Sequence, residues 1–315
     1  MRKAILLAIV LATVSASAQK RTARLPERFV APYVDAVRLT DDLATMRKQS
    51  GIRYFTLAFV TAGEGCVPTW IGKQPVATDA HMLDEVRRLR SHGGDVIVAF
   101  GGYDGAELAQ TCSDVESLKK AYQAVVDAYH PMALDFDIEH FAIDDQPSID
   151  RRSAAMKELA DENPHVRISL TLPATPMGLT AKALNVLASA KAQGVRVDVV
   201  NLMTMDYGKI AVSKEMGDNA IQAAQGAIEQ LKQMGLNAKL GVTPMLGVND
   251  AEGEIFTLAD AAAVVAFAQG RTEIVELAYW SAGRDSGDCP QQLSPACSGI
   301  AQVKWEFARI FARFH

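Results

Sequence analysis

The stretch Leu134-Asp135-Phe136-Asp137-Ile138-Glu139 alternates carboxylates with apolar side chains. In an extended strand residues i, i+2 and i+4 point to one side, so Asp135, Asp137 and Glu139 share a face while Phe136 and Ile138 take the other. Neighbouring acids on a buried face repel one another and lose solvation, and both effects disfavour the ionised form. The pattern predicts at least one raised pKa and a shared proton. Glu139 is then a general acid, Asp137 is hydrogen-bonded beside it, and Asp135 tunes both from below. Acidic clusters also bind hard cations, but no C-x-x-C occurs and no histidine forms a ligand pair with a cysteine, so no metal is expected. A solvated acidic edge is the other alternative, and the apolar residues between the acids argue against it.

Such a strand needs a scaffold that covers its apolar face. Apolar, β-branched runs at 29–35, 54–61, 96–101, 132–139, 166–172, 197–205, 238–244 and 275–280 recur at intervals of roughly 25 to 45 residues, each followed by helical spacing. Their near-continuous hydrophobicity suits parallel strands covered by helices. Ser113-Asp114-Val115-Glu116 reads as a capping box and Thr257-Leu258-Ala259-Asp260 as a weaker relative, while Gly93-Gly94, Gly194 and Gly235 follow helical stretches. The alternatives for eight alternating units are an open doubly wound sheet and a closed barrel. No Gly-rich phosphate loop follows the first run, which ends Tyr33-Val34-Asp35, and no dinucleotide fingerprint appears elsewhere. The expected fold class is therefore α/β, a single (β/α)8 TIM barrel, with its site at the C-terminal mouth of the strands. No cofactor is expected.

Arg2 and Lys3 precede an apolar run over 4–14, and Ala16-Ser17-Ala18 offers small residues at a cleavage site. A signal peptide at 1–18 and a catalytic domain over 19–315 are expected, with secretion to the periplasm or the medium. No later stretch approaches the roughly 20 apolar residues that a membrane span needs. Outside the cytoplasm the four cysteines, Cys66, Cys112, Cys289 and Cys297, are expected to pair. Three connectivities exist and sequence does not choose among them; Cys66–Cys112 with Cys289–Cys297 is the expectation taken forward. The net charge of −5 and the scattered Lys and Arg residues give no footprint for nucleic acid. An uncharged polymer fits better as the partner, and a monomer is expected.

The run Met132-Ala133-Leu134-Asp135-Phe136-Asp137-Ile138-Glu139 resembles the fourth-strand signature of glycoside hydrolase family 18, the chitinases. Further blocks are similar to those of secreted bacterial members and stand in the same order: Phe29-Val30-Ala31-Pro32-Tyr33-Val34-Asp35, Thr56-Leu57-Ala58-Phe59-Val60, Asn201-Leu202-Met203-Thr204-Met205-Asp206-Tyr207-Gly208, 242–250 and Tyr279-Trp280-Ser281. The resemblance covers essentially the whole chain beyond residue 18. It implies substrate-assisted retention, in which the N-acetyl carbonyl of the substrate is the nucleophile. Glu139 would protonate the leaving oxygen and Asp137 would steady the oxazolinium intermediate; on the sixth strand Met203, Met205 and Tyr207 share one parity and face inward, so that Tyr207 would hydrogen-bond the acetamido oxygen, while Asp206, of opposite parity, would join it where the strand end twists. Trp280 would floor the sugar site, with Tyr33, Met203, Gly101 and Gly102 also contacting substrate.

Three positions depart from the family pattern: Met132 replaces an acid, Ala99 replaces a serine, and His140 follows the catalytic Glu where a small residue is usual. Met132 is expected to fill the lower layer of the barrel. His140 is either a surface histidine or a group that tunes Glu139. Trp70 and Tyr103 are candidate stacking platforms for flanking sugars. The implied substrate is a polysaccharide or oligosaccharide containing N-acetylglucosamine. The competing readings are an endo-β-N-acetylglucosaminidase on N-glycans, a chitin-binding lectin on the same scaffold, and a metal-dependent deacetylase.

Overall fold

The structure, a computed structural model, describes residues 25–211, 213, 215–289 and 292–315, and the expected signal peptide at 1–18 lies outside the described residues. The apolar runs form eight strands: β1 (Phe29–Val30, continued by Tyr33–Asp35), β2 (Tyr54–Ala62), β3 (Asp95–Gly101), β4 (Ala133–Asp137), β5 (Arg167–Thr175), β6 (Val199–Met203), β7 (Lys239–Thr243) and β8 (Ile274–Leu277). The helices between and after them are α1 (Leu43–Ser50), α2 (Ala80–Ser91), α3 (Val115–Tyr129), α4 (Gln146–Glu162), α5 (Ala181–Ala192), α6 (Met216–Gln233), α7 (Leu258–Gln269) and α8 (Glu306–Phe311). Pro32, which has no N–H to donate, interrupts β1. The first half of β1 pairs in parallel with β8 and the second half with β2, which closes the sheet. That closure decides for the barrel over the open doubly wound sheet.

Helices cover the outside of the ring, α3 through large residues such as Leu118, Tyr122 and Val125 and α6 largely through small ones. In α6 the buried face is Ala220, Ala223, Ala224 and Ala227, the three- and four-residue spacing that brings one helical stripe against the strands. The Thr257–Asp260 capping box is present, with Thr257 Oγ1 accepting from the Asp260 N–H at 3.1 Å. The expected box at Ser113 is absent and a single aspartate cap one residue on replaces it. Asp114 is the N-cap of α3, accepting from the Ser117 N–H at 2.8 Å, and Ser113 donates to the Asp114 carboxylate instead. An aspartate at N-cap satisfies an orphan N–H as well as a serine does.

The interior of the ring is layered. At the N-terminal end Leu25, Phe29, Ala31, Ile97, Met132 and Ala133 form an apolar plug. Met132, where the family pattern has an acid, is thus part of the lower layer as expected. Higher up, Tyr33 is surrounded by the small side chains of Ala58, Ala99 and Ala278, with Phe59 and Trp280 packed against them. Cys66–Cys112 ties the segment after β2 to the turn before α3, and Cys289–Cys297 closes a loop between β8 and α8, which is the expected pairing. Among the described residues no helix is long and apolar enough to cross a membrane.

Candidate active site

The ladder of β4 ends at Asp137, two residues short of the expected bound, yet the alternation continues. The Ile138 N–H still donates to the Thr171 carbonyl at 3.0 Å, and Glu139 keeps an extended backbone at φ −139° and ψ −173°. All three carboxylates therefore rise on one face toward the C-terminal mouth. Asp135 and Asp137 are buried and Glu139 is half-buried at the top.

Asp135 sits in a polar ring. Its carboxylate accepts from Tyr33 Oη at 2.8 Å and from Thr171 Oγ1 at 2.7 Å. Asn201 Nδ2 donates to both of those oxygens, at 3.3 and 3.0 Å, and Thr243 Oγ1 in turn donates to Asn201 Oδ1 at 2.8 Å. Burial raises the Asp135 pKa to about 6, held back by the Thr171 and Tyr33 bonds. The serine that the family pattern places on β3 is Ala99, in register with Asp135, and the two hydroxyl donors to Asp135 come from β1 and β5 instead.

Asp137 Oδ1 is buried without a hydrogen-bond partner. Burial, then Glu139, then Asp135 push the Asp137 pKa well above the carboxylate range. Glu139 rises to about 7 through burial, with Asp206 and Asp104 adding repulsion. The hydrogen bond expected between Asp137 and Glu139 is not formed, because Asp137 Oδ1 meets no partner in its buried setting; two adjacent acids that cannot both ionise still hold one proton between them, so a proton is available at the top of the column near neutral pH.

Above the column opens a cleft of about 670 Å³, lined among others by Tyr33, Asp137, Glu139, Met203, Asp206 and Trp280. Trp280 stacks on Phe59 at 5.6 Å with 18° between the rings, and Tyr33 packs against both. An indole held in this way presents one flat apolar face, the kind of surface that a pyranose ring covers. Tyr103, 63% exposed, also lines the cleft and stacks on the exposed His140 at 4.5 Å, and Phe141 flanks that ring at 3.9 Å. His140 therefore stands on the cleft rim.

Four expected contacts are corrected. Tyr207 is not among the cleft-lining residues: its side chain lies in the apolar core and its hydroxyl is buried without a well-formed hydrogen bond. The cause is Asp206, whose left-handed backbone at φ +53° turns the chain just past β6, so that Asp206 takes the cleft side and Tyr207 the wall. The Tyr207 and Gly208 N–H groups donate to Glu254, and the Asp206 carboxylate accepts from the Ala251 N–H at 2.9 Å. Gly101 and Gly102 do not line the cleft either. A Cβ on Gly101 would lie 2.0 Å from the Asp137 carbonyl oxygen and one on Gly102 would meet the Phe59 ring at 2.6 Å, so both glycines are required for close packing beneath the site. Trp70 is 1% exposed and packs edge-on against Tyr129 in the core, too deep to stack on a ligand.

Sequence reasoning missed Phe59, Asn201 and Thr243 as site residues, although all three lie in or beside motif blocks. It also missed Glu276, buried inside the barrel on β8. A lone acid inside the apolar run 275–280 was its visible signal.

No family model matches the chain. It is 38% identical over 316 residues to a probable bifunctional chitinase/lysozyme of Escherichia coli (strain K12), a match that covers 92% of this chain and 35% of that protein. The chain thus spans about a third of that curated relative. The catalytic domain of a hyperthermophilic chitinase from Pyrococcus furiosus superposes with a TM-score of 0.82 at 37% identity, covering 92% of this chain and 95% of that one. A GH18 chitinase from Pseudoalteromonas aurantia shares the fold alone, with a TM-score of 0.60 at 14% identity.

Proposed function

The chain belongs to the chitinases of glycoside hydrolase family 18, and from that membership we propose that it hydrolyses β-1,4 bonds between N-acetylglucosamine residues in chitin or chito-oligosaccharides, with retention and with substrate assistance. The observation that carries this reading is the inward column Asp135–Asp137–Glu139 beneath an open cleft, with Glu139 raised to about 7 at its top. A sugar seated on Trp280 places its glycosidic oxygen near Glu139, which transfers its proton as the C–O bond breaks. The carbonyl oxygen of the substrate's own 2-acetamido group attacks the anomeric carbon and forms an oxazolinium ion. Asp137, now carrying more negative charge, balances that cation. Asp206 faces the acetamido group from the opposite wall. Water then opens the ring, returning a proton to Glu139.

This chemistry draws on no metal or cofactor, and in our reading the enzyme acts as a monomer. Export to an oxidising compartment belongs to the same reading and is supported by the two disulfides.

Cleavage of a fluorogenic chitobioside by the protein and by Glu139→Gln tests the proposal. We expect turnover in the wild type and a loss of about a thousandfold in the variant, the middle of the range for a general acid. Natural chito-oligosaccharides that bind and stay intact would move the reading to a lectin. Release of glycan from a glycoprotein, with no cleavage of chitin oligomers, would move it to an endo-β-N-acetylglucosaminidase.

A further inference from the structure

β8 carries a charged residue that the reaction above leaves unused. Glu276 is 4% exposed, between the apolar Val275 and Leu277. Its register fixes where it points. Glu276 pairs with Phe29 of β1 on one side and with Gly241 of β7 on the other, and in-register residues of parallel strands face the same way. Phe29 belongs to the apolar plug inside the ring. At Gly241 a Cβ would lie 2.6 Å from Asn201 Oδ1, so that position also faces the interior and has given up its side chain there. Glu276 therefore points into the barrel, in the space between the plug and the hydrogen-bonded group around Asp135.

We propose that Glu276 is a positioning residue for hydrolysis: a fourth interior carboxyl, below Asp135, whose ionisation helps the Asp135–Asp137–Glu139 column keep its proton in alkaline solution. The inference rests on the hydrolase reading. The groups that act on Glu276 come from three strands, namely Asp135 of β4, Tyr33 of β1 and Arg167 of β5. Burial first, and then Asp135, raise the Glu276 pKa to about 8, with Arg167 pulling it back.

The sign follows from charge. Below about pH 7 Glu276 is neutral, as a glutamine would be, and the column behaves alike with either residue. Above about pH 8 Glu276 becomes an anion beside Asp135 and opposes further loss of protons from the carboxyls above it. Glu139 then holds its proton to higher pH than it would alone.

The test is the ratio of kcat at pH 9 to kcat at pH 6, measured on a chitobioside for the wild type, Glu276→Gln and Glu276→Asp. We expect Glu276→Gln to match the wild type at pH 6 within about twofold and to lower the ratio by about threefold, half a pH unit of Coulombic influence. Glu276→Asp, which retains a carboxyl, should restore most of the ratio. A packing role alone would change kcat equally at both pH values, and an unaltered ratio overturns the proposal. Carbon-13 NMR of the carboxyls covers the remaining cases. In the wild type the Glu139 resonance should show, apart from the steps it shares with Asp137, a further change that tracks the Glu276 resonance as that titrates at about 8, and its absence overturns the proposal even if Glu276→Gln does not fold. The same titration decides when the wild type cleaves nothing, an outcome that would sink the hydrolase reading by itself.

Discussion

β4 and β6 each deliver an acid to the cleft from just beyond the last residue of the ladder, and they do so by different means. Beyond β4 the backbone stays extended through Glu139, so the alternation that sets Asp135 and Asp137 inward carries on for one more step. Beyond β6 the chain enters the left-handed region at Asp206, at φ +53°, and the two-residue rhythm stops. The first arrangement stacks acids in one column and couples their protons. The second brings one acid to the opposite wall and ties it to a backbone N–H, with the next side chain sent into the core.

The column should be the more sensitive of the two. Asp137→Asn removes the partner that shares a proton with Glu139 and lowers the charge available to balance the oxazolinium ion. We expect kcat on a chitobioside to fall by about a hundredfold or more, second only to the loss in Glu139→Gln. A fall under tenfold would show that the alternation in β4 places Asp137 without using it.

The same coupling should govern stability. Asp135 at about 6, Glu139 at about 7 and Glu276 at about 8 all lie above their unfolded values of 3.8 or 4.5. For carboxyls with raised native pKa the folded state binds more protons, so their contribution is complete below about pH 4 and is lost as the pH rises to about 8. Tm is therefore expected to drop from pH 5 to pH 9, by about 5 °C or more for a chain of this size. Glu139→Gln should flatten that slope. A Tm that rises over this range would mean that the column is solvated and its protons uncoupled.

The opposite wall should respond more weakly. Asp206→Asn keeps a side chain that tolerates the left-handed backbone and removes one charge facing the acetamido group. A loss in kcat of about tenfold is expected, with KM little changed. Asp206 also raises the Glu139 pKa, so the alkaline limb in this variant should move to lower pH.

The two strand exits also mark how far the sequence could be read. Alternation over 134–139 places every carboxylate of the column, because period two holds wherever the backbone is extended and one face is covered by helices. The closed ring and the place of Met132 in its lower layer were legible from the spacing of the runs and from the family resemblance, whereas export made oxidation of the cysteines the expectation and the structure supplies which of them pair. Tyr207 was not. Its parity with Met203 and Met205 holds only if the residues between stay extended, and no feature of Asp206 announces a left-handed turn except that aspartate tolerates one. Gly101 and Gly102 are substrate contacts only by resemblance; their close approach is to the Asp137 backbone and the Phe59 ring. Glu276 is a single acid inside an apolar run, and such a residue is informative only once the neighbouring strands show which way it points.

Tyr207→Phe tests the turn at Asp206 with the smallest expected effect. The hydroxyl is buried, with the Thr204 hydroxyl as its polar neighbour but no well-formed hydrogen bond, and burial, then Glu254, raise its pKa. Removing an unsatisfied buried hydroxyl without opening a cavity is close to neutral or slightly stabilising. We therefore expect kcat and KM within about twofold of the wild type and a Tm unchanged or raised by about a degree. A residue that hydrogen-bonded the acetamido oxygen, as its parity in an unbroken strand would require, would instead lose about tenfold or more in kcat. That outcome would mean that β6 stays extended in the working enzyme and that the left-handed turn at Asp206 is absent when substrate is bound. Equal losses in Asp206→Asn and Tyr207→Phe would place both side chains on the substrate, which requires the loop to alternate between two backbone states during turnover.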